Sequence, residues 1–324
     1  MFEGVVFRLI VRRVLLGLVT LFLVSVVVFV ATQYLPGDAA QAVLGRSATP
    51  ERLEALRTQL SLDDPAPVQY WRWLTGLLSG DAGVSLANQK PIIPQVMPRV
   101  ANSFTLLAIT VIVAVPVAIA AGILAAVRKD SGADATMTVA ALGLAAAPEF
   151  VIAIGLIAMF STVVFHWLPP VSMVPPNSSV FTRPAILVLP VLTLALVVFP
   201  YIFRMIRASM IEVLESDYME MGRLKGLRRR RLVLVHALPN ALGPTLQVIA
   251  LTFAYLAGGV VIVEYIFGFP GIGQGLINAV TARDIPVIQL TVLLLATFYV
   301  TVNLIADLVT VLVTPKLRTG TWHR

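Results

Sequence analysis

Long apolar runs alternate with short polar interruptions along most of the chain. A helix needs roughly 20 apolar residues to cross a bilayer core of about 30 Å. Six runs reach that length, at about 14–33, 104–127, 135–165, 185–203, 244–267 and 287–313. The first follows Arg8, Arg12 and Arg13. A cleaved signal would carry an apolar core of about 7 to 15 residues and a small-residue cleavage site. This run is longer and ends in YLPGD, so it reads as a retained first span. The run at 135–165 is too long for one upright span and too short for two with a loop. Its PEF, residues 148–150, predicts one long span kinked at Pro148.

The pattern fails between residues 34 and 100, where Pro, Gly, Asp, Glu and Arg recur. That stretch predicts an extramembrane loop with some helix of its own. Its Tyr70, Trp71 and Trp73 suit either headgroup anchors or a docking surface. The predicted organisation is a first span within 1–33, a loop subdomain at 34–100, a five-helix core at 101–313 and a tail at 314–324. The core carries a charged loop at 212–240.

Composition agrees with an all-α integral membrane protein. Of 324 residues, 58% are hydrophobic and 13% charged, with mean hydropathy +0.90. The absence of cysteine rules out disulfides, thiol nucleophiles and thiolate-held metals. His166, His236 and His323 are too scattered for a metal-ligand spacing, and no metal site is expected. The formal charge of +7 points to topology rather than to nucleic acid. Sixteen of the 24 Lys and Arg residues fall on one side of a six-span arrangement, including Arg128, Lys129 and the run between Arg204 and Arg231. Short basic segments stay in the cytoplasm, so both termini are expected there.

The densest charge lies in 217-DYMEMGRLKGLRRRRLVLVHALPN-240. Retention of topology and contact with anionic lipid account for RRRR at 228–231. They leave the rest unexplained. Asp217 and Glu220 open a predicted helix, Lys225 falls near its end and Gly226 follows, an order that suits the helix dipole and a glycine stop. A second short helix is expected up to Leu238, Pro239 and Asn240, so that the pair forms a knob another protein can grip.

This spacing resembles the EAA loop of binding-protein-dependent ABC importers. Glu220, Met221 and Gly222 stand at the EAA positions, Gly226 at the glycine, and Leu238-Pro239 at the closing pair. Met221 departs from the small-residue preference, and His236 occupies a usually apolar place. Over nearly the whole chain the sequence is similar to the oligopeptide/dipeptide permeases: LPGD at 35–38, QYWRWLTGLLSGDAGVSL at 69–86, Asp217-Tyr218 with KGL at 225–227, VEYIFGFPGIGQGL at 263–276, RDIPVIQ at 283–289 and NLIADL at 303–308. Thr314-Pro315-Lys316 departs from that group. The resemblance implies a type I importer permease fold of six transmembrane helices in the cytoplasmic membrane. It implies a homologous second permease, two ATPase subunits that bind ATP and Mg, an external peptide-binding protein, and a peptide cargo. Nickel, glutathione or another small solute is the alternative cargo.

No GxxxxGK[ST] loop occurs, so the energy is expected to come from the partner ATPases. No catalytic set is expected either, since the few carboxylates and isolated histidines offer no convergent nucleophile and base. A homo-oligomeric channel is the alternative of a different class. GFPGIGQG at 268–275 lacks GxGxxG spacing and reads as a sharp turn near the outer mouth. Phe267, Pro270 and Gly271 of that turn, with Glu149 and Glu264, are candidates for the pathway or its gate. For Glu149 and Glu264, bonding between helices is equally open. Asn303 and Asp307 favour such bonding.

Overall fold

The computed structural model describes residues 2–33, 49–50, 54, 64–174 and 179–313. The LPGD at 35–38, the rest of the loop up to 63 apart from residues 49, 50 and 54, and the tail with Thr314-Pro315-Lys316 and His323 lie outside the described residues. Ten helices are labelled here: α1 (Phe2–Gln33), α2 (Ala66–Leu78), α3 (Ile93–Val127), α4 (Gly132–Ala146), α5 (Glu149–Ile157), α6 (Ala185–Leu214), α7 (Asp217–Leu224), α8 (Leu238–Phe267), α9 (Ile272–Thr281) and α10 (Ile285–Val313). Among the described residues there is no β-strand, only an isolated bridge between Val84 and Pro91. Five helical stretches are long and apolar enough to cross a membrane, and two further bent pairs bring the possible number to seven.

The single bent span expected at 135–165 consists of two helices, a pair that together is long and apolar enough for one broken span or a re-entrant loop. α4 and α5 meet at 107°, so this is a break rather than a kink. Ala147 is extended at ψ 126°, and Pro148 caps α5 without itself being helical. Proline disfavours the helical region for the residue before it, which is why the helix stops there. Beyond α5, a π-helical turn at Ala158–Thr162 ends the pair. α3 starts at Ile93 and α6 runs on to Leu214, both further into polar sequence than the hydropathy runs suggest.

The chain divides into two compact units. The first comprises residues 1–15, 104–269 and 301–324. Its centre is α6, which packs on α4, α5 and α8 and buries Phe203, Ile206 and Met210 completely. α3 passes closely over it: a Cβ on Gly122 would sit 2.9 Å from the Phe203 carbonyl oxygen. At the start of α4, the Ser131 hydroxyl accepts the Asp134 N–H. The buried Asp134 carboxylate takes a forked pair of bonds from Arg207 of α6, at 2.6 and 2.7 Å. A buried charge needs such pairing, and arginine supplies it in one plane. Asp307 of α10 pairs with Arg13 of α1 at 3.0 Å, the interhelical role expected for it.

The second unit comprises residues 16–103 and 270–300. Tyr70 and Trp73 of α2 pack against Phe29 of α1 at 5.3 and 6.1 Å between ring centroids. The Tyr70 hydroxyl is 2.8 Å from that of Ser25. Two of the three aromatic residues are thus held within the protein, and Trp71 is the exposed one. Asp284, buried just before α10, accepts the Ser85 hydroxyl and, at 3.0 Å, the Leu86 N–H. That carboxylate fixes the irregular 84–91 loop to the start of α10.

Candidate coupling site

The segment 217–240 is built from one short helix and the beginning of a long one. In α7, Asp217 and Glu220 occupy the first turn and Arg223 the last, complementing the helix dipole. Its end is a Schellman motif: the Gly226 N–H bonds to the Arg223 carbonyl at 2.9 Å, and the Leu227 N–H to the Gly222 carbonyl at 3.2 Å. Lys225 is the C-cap, and Gly226 adopts φ +75°, a left-handed conformation that strains any residue with a Cβ.

The second short helix expected here is corrected. Arg229–Arg231 lead into a π-helical stretch, Leu232–Ala237, which continues directly into α8. Leu238 and Pro239 therefore stand in the first turn of a spanning helix rather than closing a separate one. Proline has no N–H to donate to the preceding turn, and a change of helical register just before it accommodates that loss. The His236 carbonyl is taken by the Asn240 amide at 2.9 Å and by the Tyr218 hydroxyl at 3.3 Å, which ties α7 to the start of α8.

The two faces of α7 differ sharply. Met219 and Gly222 point inward, into a core with Met210, Leu232, Val233 and Ala237. A Cβ on Gly222 would meet the Leu232 Cδ2 at 2.7 Å, so a side chain there requires the Leu232 methyl to shift. Tyr218, Met221 and Leu224 lie on the outer face, 47%, 55% and 76% exposed. Position 222 thus has little free space, whereas Met221 projects outward. Asp217, Glu220 and Lys225 are exposed around this apolar strip.

Several basic groups brace the knob. Arg223 donates to the Leu214 carbonyl at 3.0 Å and Arg229 to the Val127 carbonyl at 2.7 Å, so each covers the last turn of a long helix. Lys129 bonds to Glu215, which raises the lysine pKa above its ordinary value. These groups surround a cleft of about 510 Å³ beneath α7. Sequence reading counts these residues only as topology markers. Arg229 and Lys129 bond groups 102 and 86 residues away in sequence, so no local signal marks these contacts.

The pathway candidates are divided between the two units, with Glu149, Glu264 and Phe267 in the first. Glu149 opens α5 and its Oε2 lies 3.1 Å from the place of a Cβ on Gly259 of α8. Glu264 and Phe267 are fully buried in α8, and the Phe267 carbonyl accepts the Ser172 N–H at 2.6 Å. Pro270 and Gly271 belong to the second unit. There the Pro270 carbonyl accepts the Asn102 amide at 2.9 Å, and the backbone leads into α9, a helix not anticipated from sequence.

Comparison with known proteins bears on this geometry. Residues 118–319 match the family described as binding-protein-dependent transport system inner membrane component. Residues 6–108 match the N-terminal part of such membrane components. A glutathione transport system permease protein of Pectobacterium atrosepticum is 38% identical over 306 residues, covering 94% of this chain and 97% of the relative. A probable peptide ABC transporter permease protein of Sinorhizobium fredii is 35% identical over 310 residues, covering 95% and 98%. A glutathione transport system permease protein of Escherichia coli K12 is 36% identical over 306 residues, covering 94% and 97%.

Proposed function

The chain belongs to the family of binding-protein-dependent transport inner membrane components, and on that premise we propose that it is the permease subunit of an ATP-driven importer of short peptides, glutathione among them. The observation that carries the coupling part of this reading is α7. It is a capped helix, seated by Gly222 and Met219, with Tyr218, Met221 and Leu224 turned outward. An outward apolar strip on a charged helix is a surface for a protein partner rather than for water. In this reading α7 sits in the cytoplasm in a recess of an ATPase subunit. A second, homologous permease and a second ATPase complete the membrane complex, and an external binding protein delivers the solute. ATP and Mg bind the ATPases, and this chain performs no chemistry.

Coupling then follows from mechanics. A rigid-body motion of the ATPase carries α7 with it, and the Tyr218, Asn240 and Arg223 bonds pass the motion to α6 and α8. The test is reconstitution of the assembled complex in proteoliposomes with ATP inside. The expected result is ATP-dependent uptake of a tripeptide or glutathione delivered by the binding protein. Downhill leak of solute without ATPase subunits would instead support a channel formed by this chain alone.

A further inference from the structure

Within the apolar sequence EFVIAIGLI of α5, Glu149 is the sole charge. It is half-buried, and it makes no hydrogen bond or ion pair among the described residues. Its carboxylate lies over Gly259, whose missing side chain leaves it room. Tyr255, one turn earlier on α8, is within electrostatic reach of that carboxylate. The Tyr255 ring lies 6.5 Å from the ring of Tyr201 on α6, and the two tyrosines are 56% and 42% exposed. A carboxylate at membrane depth is expensive, so such groups face a wet cavity or a counter-charge. Among the described residues no counter-charge pairs with it, and the surface beside it is aromatic. Tyrosine faces attract cations, above all ammonium and guanidinium groups.

We infer that Glu149, Tyr201 and Tyr255 form a subsite on the translocation path for an ammonium group of the passing solute. The ammonium is either the α-amino group of a peptide or a lysine side chain. This rests on the import reading above and adds a chemical preference to it: a cationic end is held by carboxylate and aromatic faces, loosely enough to move on. Glu264, fully buried on the same helix, has no such open approach.

The test uses the assembled complex in proteoliposomes, with one binding protein throughout so that its own preference cancels between variants. Uptake is measured for trialanine, for N-acetyl-trialanine and for N-acetyl-Ala-Lys-Ala. Glu149→Gln is expected to lower the rate for an amine-bearing peptide relative to N-acetyl-trialanine, which carries no ammonium, by about tenfold, the size of one charge-assisted hydrogen bond. Glu149→Asp is expected to keep most of the preference. Gly259→Leu, which displaces the carboxylate without removing it, is expected to lower the ratio as well. A drop confined to trialanine assigns the α-ammonium, and a drop for the lysine peptide assigns the side chain. Equal loss for all three peptides overturns the subsite and marks Glu149 as a strut between helices or subunits. A wild-type complex that imports none of them, but moves a solute without an amine, overturns the cargo reading and the subsite with it.

Discussion

At Gly226 a single backbone angle decides the shape of the knob. With φ at +75°, the chain leaves α7 and reverses toward Arg229. A residue with a Cβ is strained there by about 1 to 2 kcal/mol, less for asparagine than for bulky side chains. Nothing lies within 4 Å of a Cβ added at this position, so the penalty is conformational rather than a clash. Gly226→Trp is therefore expected to disturb the turn and the outer surface together, and Gly226→Asn to be tolerated. Solute moved per ATP hydrolysed in the reconstituted complex is the quantity to measure. It should fall several-fold, by about a factor of five or more, in the tryptophan variant and stay near wild type in the asparagine one. Unchanged coupling in Gly226→Trp would remove the turn from the mechanism.

At the scale of elements, hydropathy located the spans well and their ends poorly. Apolar runs report what lies in hydrocarbon, whereas α3 begins before it at Ile93 and α6 continues past it to Leu214, whose carbonyl Arg223 covers. The 107° break at Pro148 is stronger than a proline alone requires, because α4 is also tied to α6 by the Asp134 and Arg207 pair. That pair joins residues far apart in sequence, so no local pattern could display it. In the coupling loop the spacing of Glu220, Gly222 and Gly226 was legible, since caps and turns are local. The π-helical passage into α8 was not, because it depends on packing of Leu232 and Val233 under α7. The contact of α3 with α6 can be tested by itself. Gly122→Leu would drive a side chain into the Phe203 carbonyl and is expected to destabilise the bundle by about 3 kcal/mol or more. Thermal unfolding of the purified subunit in detergent reads this out, and a melting temperature equal to wild type would contradict the packing.

At the scale of the molecule, the chain belongs to a family of importer membrane components, and its structure carries a surface suited to a partner. The apolar outer strip of α7 remains uncovered although the helix beneath it is fully seated. The most direct measurement follows from the lack of cysteine in the chain. A single Leu224→Cys substitution puts one thiol on the most exposed point of that strip. Thiol cross-linking in native membranes, followed by mass spectrometry of the adduct, identifies what touches it. The account predicts an adduct with an ABC ATPase subunit, and none from a control cysteine placed at Trp71 in the second unit. Adducts only with a second copy of this chain, or none with an ATPase, would contradict the coupling role of α7.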